Sequence, residues 1–242
     1  MATMNIEHLK IIRTGGSVED RAQTIRDHLR DAIVDRRLAP AAKLSESEVG
    51  ALFNVSRTIA RAALQMLAFE GLVRIERNRG AFVANPSPEE ARQVFASRRL
   101  MEPGIAAVAC ERATARDIEA FRVQLGEEAR FIGQRGPAAR RAEIKASGDF
   151  HLLLASVAGN AILLRFMEEL IARSSLVIAL YGKSGASSCG HSEHVDILDA
   201  LEARDVPRMN NLMIRHLDHL EADLDLRLKE GLGLKEALNL PG

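Results

Sequence analysis

The sequence predicts a mainly α-helical protein in two unlike parts. A small N-terminal unit of helices is closed by a β-hairpin, and an all-helical antiparallel bundle follows. Three observations carry this. Apolar residues recur at helical spacing over most of the chain, whose 242 residues are 47% hydrophobic but only 4% aromatic, with no Trp, a composition suited to Ala- and Leu-rich helices. Between Gly71 and Val83 the apolar period shortens toward 2, as in strands. Asn85-Pro86-Ser87-Pro88 then interrupts the chain with two prolines, a short stiff linker that marks a domain boundary. The expected division is 17–84, a linker at 85–90, and 91–230.

Within the first part, Ser17 caps a helix from about Val18 to Asp35 with Ile25, Leu29, Ile33 and Val34 inward, and Ala39-Pro40 turns the chain. Ser45-Glu46-Ser47-Glu48 has the spacing of a capping box, and Val49, Leu52 and Phe53 supply that helix's apolar face. Asn54-Val55 breaks it. Ser56 is a good N-cap for a second helix that carries Ala60, Ala63, Leu64 and Leu67 inward. Two short helices across a tight break form a helix-turn-helix, whose second helix enters a DNA major groove by its N-terminal residues. Arg57, Thr58 and Arg61 sit there, off the apolar face. Leu72–Ile75 and Ala81–Val83 then read as strands around a turn ending at Gly80. The hairpin is a wing, and Arg77 and Arg79 beside Gly80 at its tip suit phosphate or minor-groove contact.

Other function classes are excluded by composition. No apolar run reaches membrane-spanning length, and residues 1–16 lack the apolar core of a signal peptide and look like a leader. Cys110 and Cys189 are too few for a disulfide framework and lack metal-type spacing, so a cytoplasmic location is expected. The 33 basic and 33 acidic residues cancel overall, yet residues 1–84 hold 13 Lys and Arg against 10 Asp and Glu, leaving 20 against 23 for the remainder. That asymmetry is modest and in the sense DNA binding requires.

From Glu89 on, helices are expected at about 89–111, 115–133, 139–158, 161–181, 191–203 and 206–229. Thr114 with Asp117 caps the second, Asp205 with Pro207 opens the last, and Gly182–Gly190 is the longest loop. Several polar residues break apolar faces. His151 shares a face with Ile144, Ser147, Leu154, Ala155 and Ala158; His194 aligns with Leu198 and Leu201; His216 lies among Met209, Leu212, Met213 and Leu220. Burying three imidazoles without a shared partner carries a desolvation cost each time, and imidazole suits zinc, nickel or similar divalent ions. His191, one turn before His194, offers another nitrogen. Arg98 and Arg173 also face inward, where a guanidinium needs an anion: Glu102 as an internal salt bridge, or a small carboxylate effector. Asn160, at a helix start, is a cavity donor or a turn residue.

The N-terminal part resembles the winged-helix domain of GntR-type bacterial regulators. Leu44-Ser45-Glu46, Val55-Ser56-Arg57-Thr58, Arg61, Gly71-Leu72-Val73 and Asn78-Arg79-Gly80 match its pattern. Ser47 stands where many members place an Arg on DNA, and Ile59-Ala60 replaces the usual Pro-Val. The bundle resembles the FCD ligand domain of the FadR-like branch through Arg98-x-x-x-Glu102-Pro103, Phe150-His151, Gly159-Asn160, Glu193-His194, Ala203-Arg204-Asp205 and His216-Leu217.

In metal-binding FCD domains the same three histidines join an Asp one turn before the first. Here that position is Ser147, and Asp149 faces nearly the opposite way. The resemblance therefore implies a homodimeric, metabolite-responsive regulator, most simply a repressor. Its bundle would bind a small organic acid beside a divalent metal, with Arg98, Arg173, Asn160, Ser147 and His191 as candidate effector contacts. Two winged units would sit on double-stranded operator DNA, and the short linker would transmit movement of the helix carrying Arg98. Rival functions are a metal-dependent enzyme at the three-histidine site, or an architectural DNA-binding protein. Against the enzyme, no inward acid suited to general-base work is evident beside the histidines.

Overall fold

None of the short apolar stripes in residues 18–83 can bury its face alone, so they close on one another. The computed structural model describes residues 17–34, 37–183 and 188–226. In it, α1 (Val18–Val34), α2 (Glu46–Phe53) and α3 (Arg57–Phe69) pack around Ile25, Leu29, Ile33, Ala60, Ala63, Leu64 and Leu67. Ser17 and Asp20 cap α1 reciprocally. Asn54, in the left-handed conformation, ends α2, and Ser56 caps α3 by accepting from the Ile59 amide. The wing is the antiparallel pair β2 (Val73–Glu76) and β3 (Gly80–Val83).

Three details differ from expectation. Lys43–Leu44 forms an extra strand, β1, on the outer edge of β3; two residues are too few to show a period. The capping box at Ser45 does not form, because its hydroxyl meets Ser47 Oγ at 2.7 Å and makes no cap bond. Leu52 is 78% exposed rather than part of the apolar face.

The remaining chain is helical: α4 (Pro88–Arg112), α5 (Ala115–Ala129), α6 (Pro137–Ala158), α7 (Ala161–Tyr181), α8 (Ser188–Glu202) and α9 (Val206–Ala222). Thr114 and Asp205 cap as expected. Ser87 and Glu90 form a capping box that recruits Pro88 as the first residue of α4, so the linker shortens to the few residues before it. α9 ends at Ala222, not 229. Of the expected Gly182–Gly190 loop, residues 184–187 lie outside those described, Gly182 bridges to Leu224, and α8 has begun by Ser188. No described helix is long and apolar enough to cross a membrane.

α6 lies at the centre of the bundle, against α4, α5, α7 and α8, while α9 packs on α4 and α8. Its buried Phe150 meets Phe121 of α5 edge-on. Short connections tighten the ends. Arg204 turns the chain in the left-handed conformation and donates to the carbonyls of Cys110, Glu111 and Ala113, which satisfies the otherwise orphaned C-terminus of α4.

The two parts are not joined by the linker alone. Leu176 of α7, 2% exposed, belongs to the apolar core of the winged unit, with Ala172 and Leu180 packed beside it. Burying such a leucine contributes about 1.5–3 kcal/mol. Tyr181 donates to the carbonyl of Pro86 at 2.7 Å, pinning the linker to the same helix. Arg173, bonded to Glu169, lays its guanidinium against the backbone of Gly71 where α3 turns into β2.

Gly71 has φ +73°, and a Cβ there would collide with that guanidinium. Gly71→Ala should therefore cost about 1–2 kcal/mol in urea unfolding from the left-handed backbone alone, plus the displacement of Arg173. In an Arg173→Ala background the second part of the cost should disappear, a coupling that a double-mutant cycle measures.

Candidate functional site

Three helices bring the inward histidines together. His151 of α6 is 2% exposed, and His194 of α8 and His216 of α9 are fully buried. Nε2 of His216 stands 3.2 Å from Nε2 of His194 and 3.2 Å from Nε2 of His151. Phe150 stacks flat on His194 with ring centroids 4.1 Å apart, which fixes that ring's plane.

The other nitrogen of each ring meets a carboxylate. Nδ1 of His194 lies 2.9 and 3.0 Å from the two oxygens of Glu128, and Nδ1 of His216 lies 2.8 Å from Glu193. Nδ1 of His151 is 2.7 Å from Glu102 Oε2, a close contact without the alignment of a hydrogen bond. The expectation of no inward acid suited to general-base work thus meets three carboxylates, each at the outer nitrogen of a ring rather than where the Nε2 atoms meet. Glu102 is 1% and Glu128 6% exposed, and the Arg98 guanidinium and His151 hold the Glu102 carboxyl well below the usual range despite its burial. These acids were legible in part: Glu128 continues the inward stripe of Phe121 and Leu125 at helical spacing, a charge where an apolar residue was due.

Protonation follows from this geometry. Burial holds His216 neutral, its pKa pushed down to about 3, and His151 likewise at about 4. A neutral imidazole has one N–H, and a carboxylate beside Nδ1 places it there. Nε2 of His216 and Nε2 of His151, 3.2 Å apart, are then the nitrogens left without the proton. In a tetrahedral zinc site with bonds of about 2.0–2.1 Å, two ligand nitrogens stand about 3.3 Å apart. The donor set, spacing and tautomers fit a divalent ion. The site's third dimension is a cavity of about 80 Å³ whose walls include all of Arg98, Ser147, His151, His191 and His194, room for a few water-sized groups.

Arg98 is 2% exposed. Its Nε donates to Glu102 and its Nη1 to Ser174 at 3.2 Å, while Nη2 has no acceptor among the described residues. Leaving a buried guanidinium nitrogen unbonded costs free energy, so an anion there is favoured. Ser147 and His191 line the same cavity, His191 donating toward Glu128 at 3.2 Å. Two candidates lie elsewhere. Arg173 turns to the winged unit as described, because α7 is covered on that side by a domain rather than by the bundle. Asn160 is exposed and caps α7 by accepting from the amides of Ile162 and Leu163. Arg140, Ser174 and His219 also line the cavity; Ser174 continues the inward stripe of Met167 and Ile171, and Arg140 stands one turn before Ile144 on the face of His151, so the spacing carried a signal for both.

On the winged unit, Arg57, Thr58 and Arg61 are exposed at the start of α3. Arg61 is not free: Glu46 at the start of α2 accepts two bonds from it, at 2.8 and 2.9 Å. Arg77, Arg79 and Gly80 are exposed at the wing tip, with Arg79 paired to Glu76 and lying over the Phe82 ring.

The buried histidines carry a pH signature. Unfolded, each has a pKa near 6.5; folded, His151 and His216 take up protons only near 4 and 3. Below pH 6.5 the unfolded chain binds protons that the folded chain refuses, so stability falls as pH drops from about 6.5 toward 4. Each contributes a slope of about 1.4 kcal/mol per pH unit in that window. Urea midpoints of EDTA-treated protein at stepped pH should show it, and His216→Gln should flatten it.

The comparisons agree with this architecture. Residues 21–83 match the family model described as bacterial regulatory proteins, gntR family, and residues 93–219 match the FCD domain. The chain is 26% identical over 241 residues to the Uxu operon transcriptional regulator of Escherichia coli strain K12, covering 88% of this chain and 90% of that protein. It is 30% identical over 197 residues to the HTH-type transcriptional repressor RspR of the same organism, covering 79% and 83%. A structure from Rhodococcus sp. RHA1, solved as a GntR transcriptional regulator, superposes with a TM-score of 0.70 at 26% identity, covering 84% of this chain and 96% of that one. With winged unit and bundle matched in order over most of its length, this protein belongs to the GntR family of bacterial transcriptional regulators, in the branch that carries an FCD domain.

Proposed function

We propose that this regulator is a homodimeric cytoplasmic repressor whose grip on a palindromic operator is set by a small organic acid. The acid would bind beside a divalent ion, zinc or nickel, held by His151, His194 and His216. One observation carries the proposal: three buried imidazoles cluster with Nε2 atoms 3.2 Å apart, and two of them, His151 and His194, line a cavity with Arg98, whose buried Nη2 has no acceptor among the described residues. The bound ion would supply a Lewis-acidic anchor for an acid's oxygen. Arg98 would take the carboxylate, and Ser147 and His191 would border it. Glu102, Glu128 and Glu193 face the outer nitrogens of the rings, away from the point where Nε2 atoms meet. They are badly placed as general bases there, which disfavours the enzyme alternative.

DNA contact is assigned to Arg57, Thr58 and Arg61 in the major groove and to Arg77, Arg79 and Gly80 on the wing. A dimer follows from function, since one small winged unit rarely supplies enough contacts for specific binding. The name of RspR as a repressor supports the direction of regulation. The acid reaches DNA by two connections: α4, which carries Arg98 and leads from the linker, and α7, which borders the cavity with Ser174 and the winged core with Leu176. Only a ligand that favours one arrangement of the wings changes operator affinity.

Elemental analysis of protein purified without nickel resin should find a divalent ion, lost in His151→Ala, His194→Ala and His216→Ala. Thermal-shift screening of small organic acids should find ligands whose effect disappears with EDTA and weakens in Arg98→Gln. An ion-free wild type whose melting temperature ignores added zinc and nickel would make the histidines structural.

On DNA, Arg61→Ala should cost about 1–3 kcal/mol at the operator if it reads a base. Arg79→Ala should weaken all sequences alike and lower the salt slope by about 1. Unchanged affinity of both variants in fluorescence anisotropy would remove these contacts.

A further inference from the structure

Each of the three carboxylates around the histidines has two partners, one inside and one outside. Glu102 of α4 meets His151 and Arg98. Glu128 of α5 meets His194 at 2.9 Å and His191 at 3.2 Å. Glu193 of α8 meets His216 at 2.8 Å and also His219. The inner partners are the three imidazoles whose Nε2 atoms converge. The outer partners, Arg98, His191 and His219, all line the cavity. The carboxylates come from α4, α5 and α8 and the imidazoles from α6, α8 and α9, so five helices supply the arrangement, α8 giving both Glu193 and His194.

We propose that Glu128 and Glu193 are positioning residues that hold His194 and His216 in the Nδ1–H form through hydrogen bonds, that Glu102, 2.7 Å from Nδ1 of His151, favours the same form there by its charge, and that the three carboxylates link the imidazoles to an outer set of donors that meets the anionic ligand. The inference rests on the metal reading of the histidines and adds to it the residues that make the rings competent. A neutral imidazole can accept a metal only through its unprotonated nitrogen, and the partner of the other nitrogen decides which that is. Without an acceptor at Nδ1, nothing holds the proton off Nε2, and the lone pair turns away from its neighbours. The outer ring follows from the same carboxylates. Arg98, His191 and His219 each spend one donor on a glutamate, and Arg98 keeps another with no acceptor. An anionic group entering the cavity therefore meets donors already fixed by the groups that fix the metal ligands, a two-tier site for a small carboxylate with the ion behind it.

The test uses the full-length protein in two states. In the metal-free state, imidazole nitrogen shifts from long-range ¹H–¹⁵N spectra report the tautomer directly. Wild type should show Nδ1–H at His151, His194 and His216. Glu128→Met, which removes the acceptor at similar volume, should move His194 to the Nε2–H form, and Glu128→Gln, which keeps an acceptor oxygen, should largely retain Nδ1–H. In the loaded state, cobalt(II) titration followed by its visible absorption should show affinity reduced 10–100-fold in Glu128→Met, with Glu128→Gln between the two. Glu193→Met makes the same test at His216 should the first variant fail to fold. Retention of Nδ1–H at His194 together with wild-type cobalt affinity in Glu128→Met would overturn the positioning role. Wild-type protein that takes up no cobalt while the tautomers shift as expected would instead overturn the metal reading and leave the positioning role standing.

Discussion

Three imidazoles buried together at the centre of an apolar bundle are the constraint to which the rest of this molecule answers. Desolvation alone disfavours each of them, and their mutual proximity adds electrostatic cost. The bundle offsets it with three carboxylates, themselves buried or nearly so. Those in turn are bonded by Arg98, His191 and His219 at the cavity. The sequence of partners runs from the centre outward and ends on groups that a ligand can touch. A buried polar network of this kind is unfavourable if any member is missing, which ties the site's integrity to α4, α5, α6, α8 and α9 at once.

α7 translates that centre into a relation between domains. Along its length it contributes Ile171 and Ser174 to the cavity wall, Ser174 accepting from Arg98. On another side it gives Leu176 to the winged core and sets Arg173 against Gly71. Its last residue, Tyr181, holds the linker at Pro86. A helix whose sides belong to two cores cannot shift in one without being felt in the other, because packed interiors transmit displacement rather than absorb it. The short linker is a second connection anchored to this same helix.

Much of this was present in the one-dimensional pattern. The caps at Ser17, Ser56, Thr114 and Asp205, the break at Asn54, the wing around Arg79 and the inward faces of Arg98, His151, His194 and His216 all follow from local spacing. Local chemistry also misled in places. Ser45 has the spacing of a capping box, but its hydroxyl pairs with Ser47. Arg173 sits on a helix apolar nearly all round, and periodicity cannot say which of two cores such a helix turns toward.

The kind and order of the parts are therefore written in the chain: a winged unit, a proline-marked boundary, and a bundle with three histidines inside it. These depend on period, caps and turn chemistry, which act over a few residues. Which groups meet is set by the packing of the helices. Glu128 and His194 are 66 residues apart, Glu102 and His151 share no helix, and Arg98 and Ser174 are 76 residues apart. Such pairings depend on how helices cross and which side chains reach across the gap. A helix's own periodicity records that it has an inward face, but not what stands opposite.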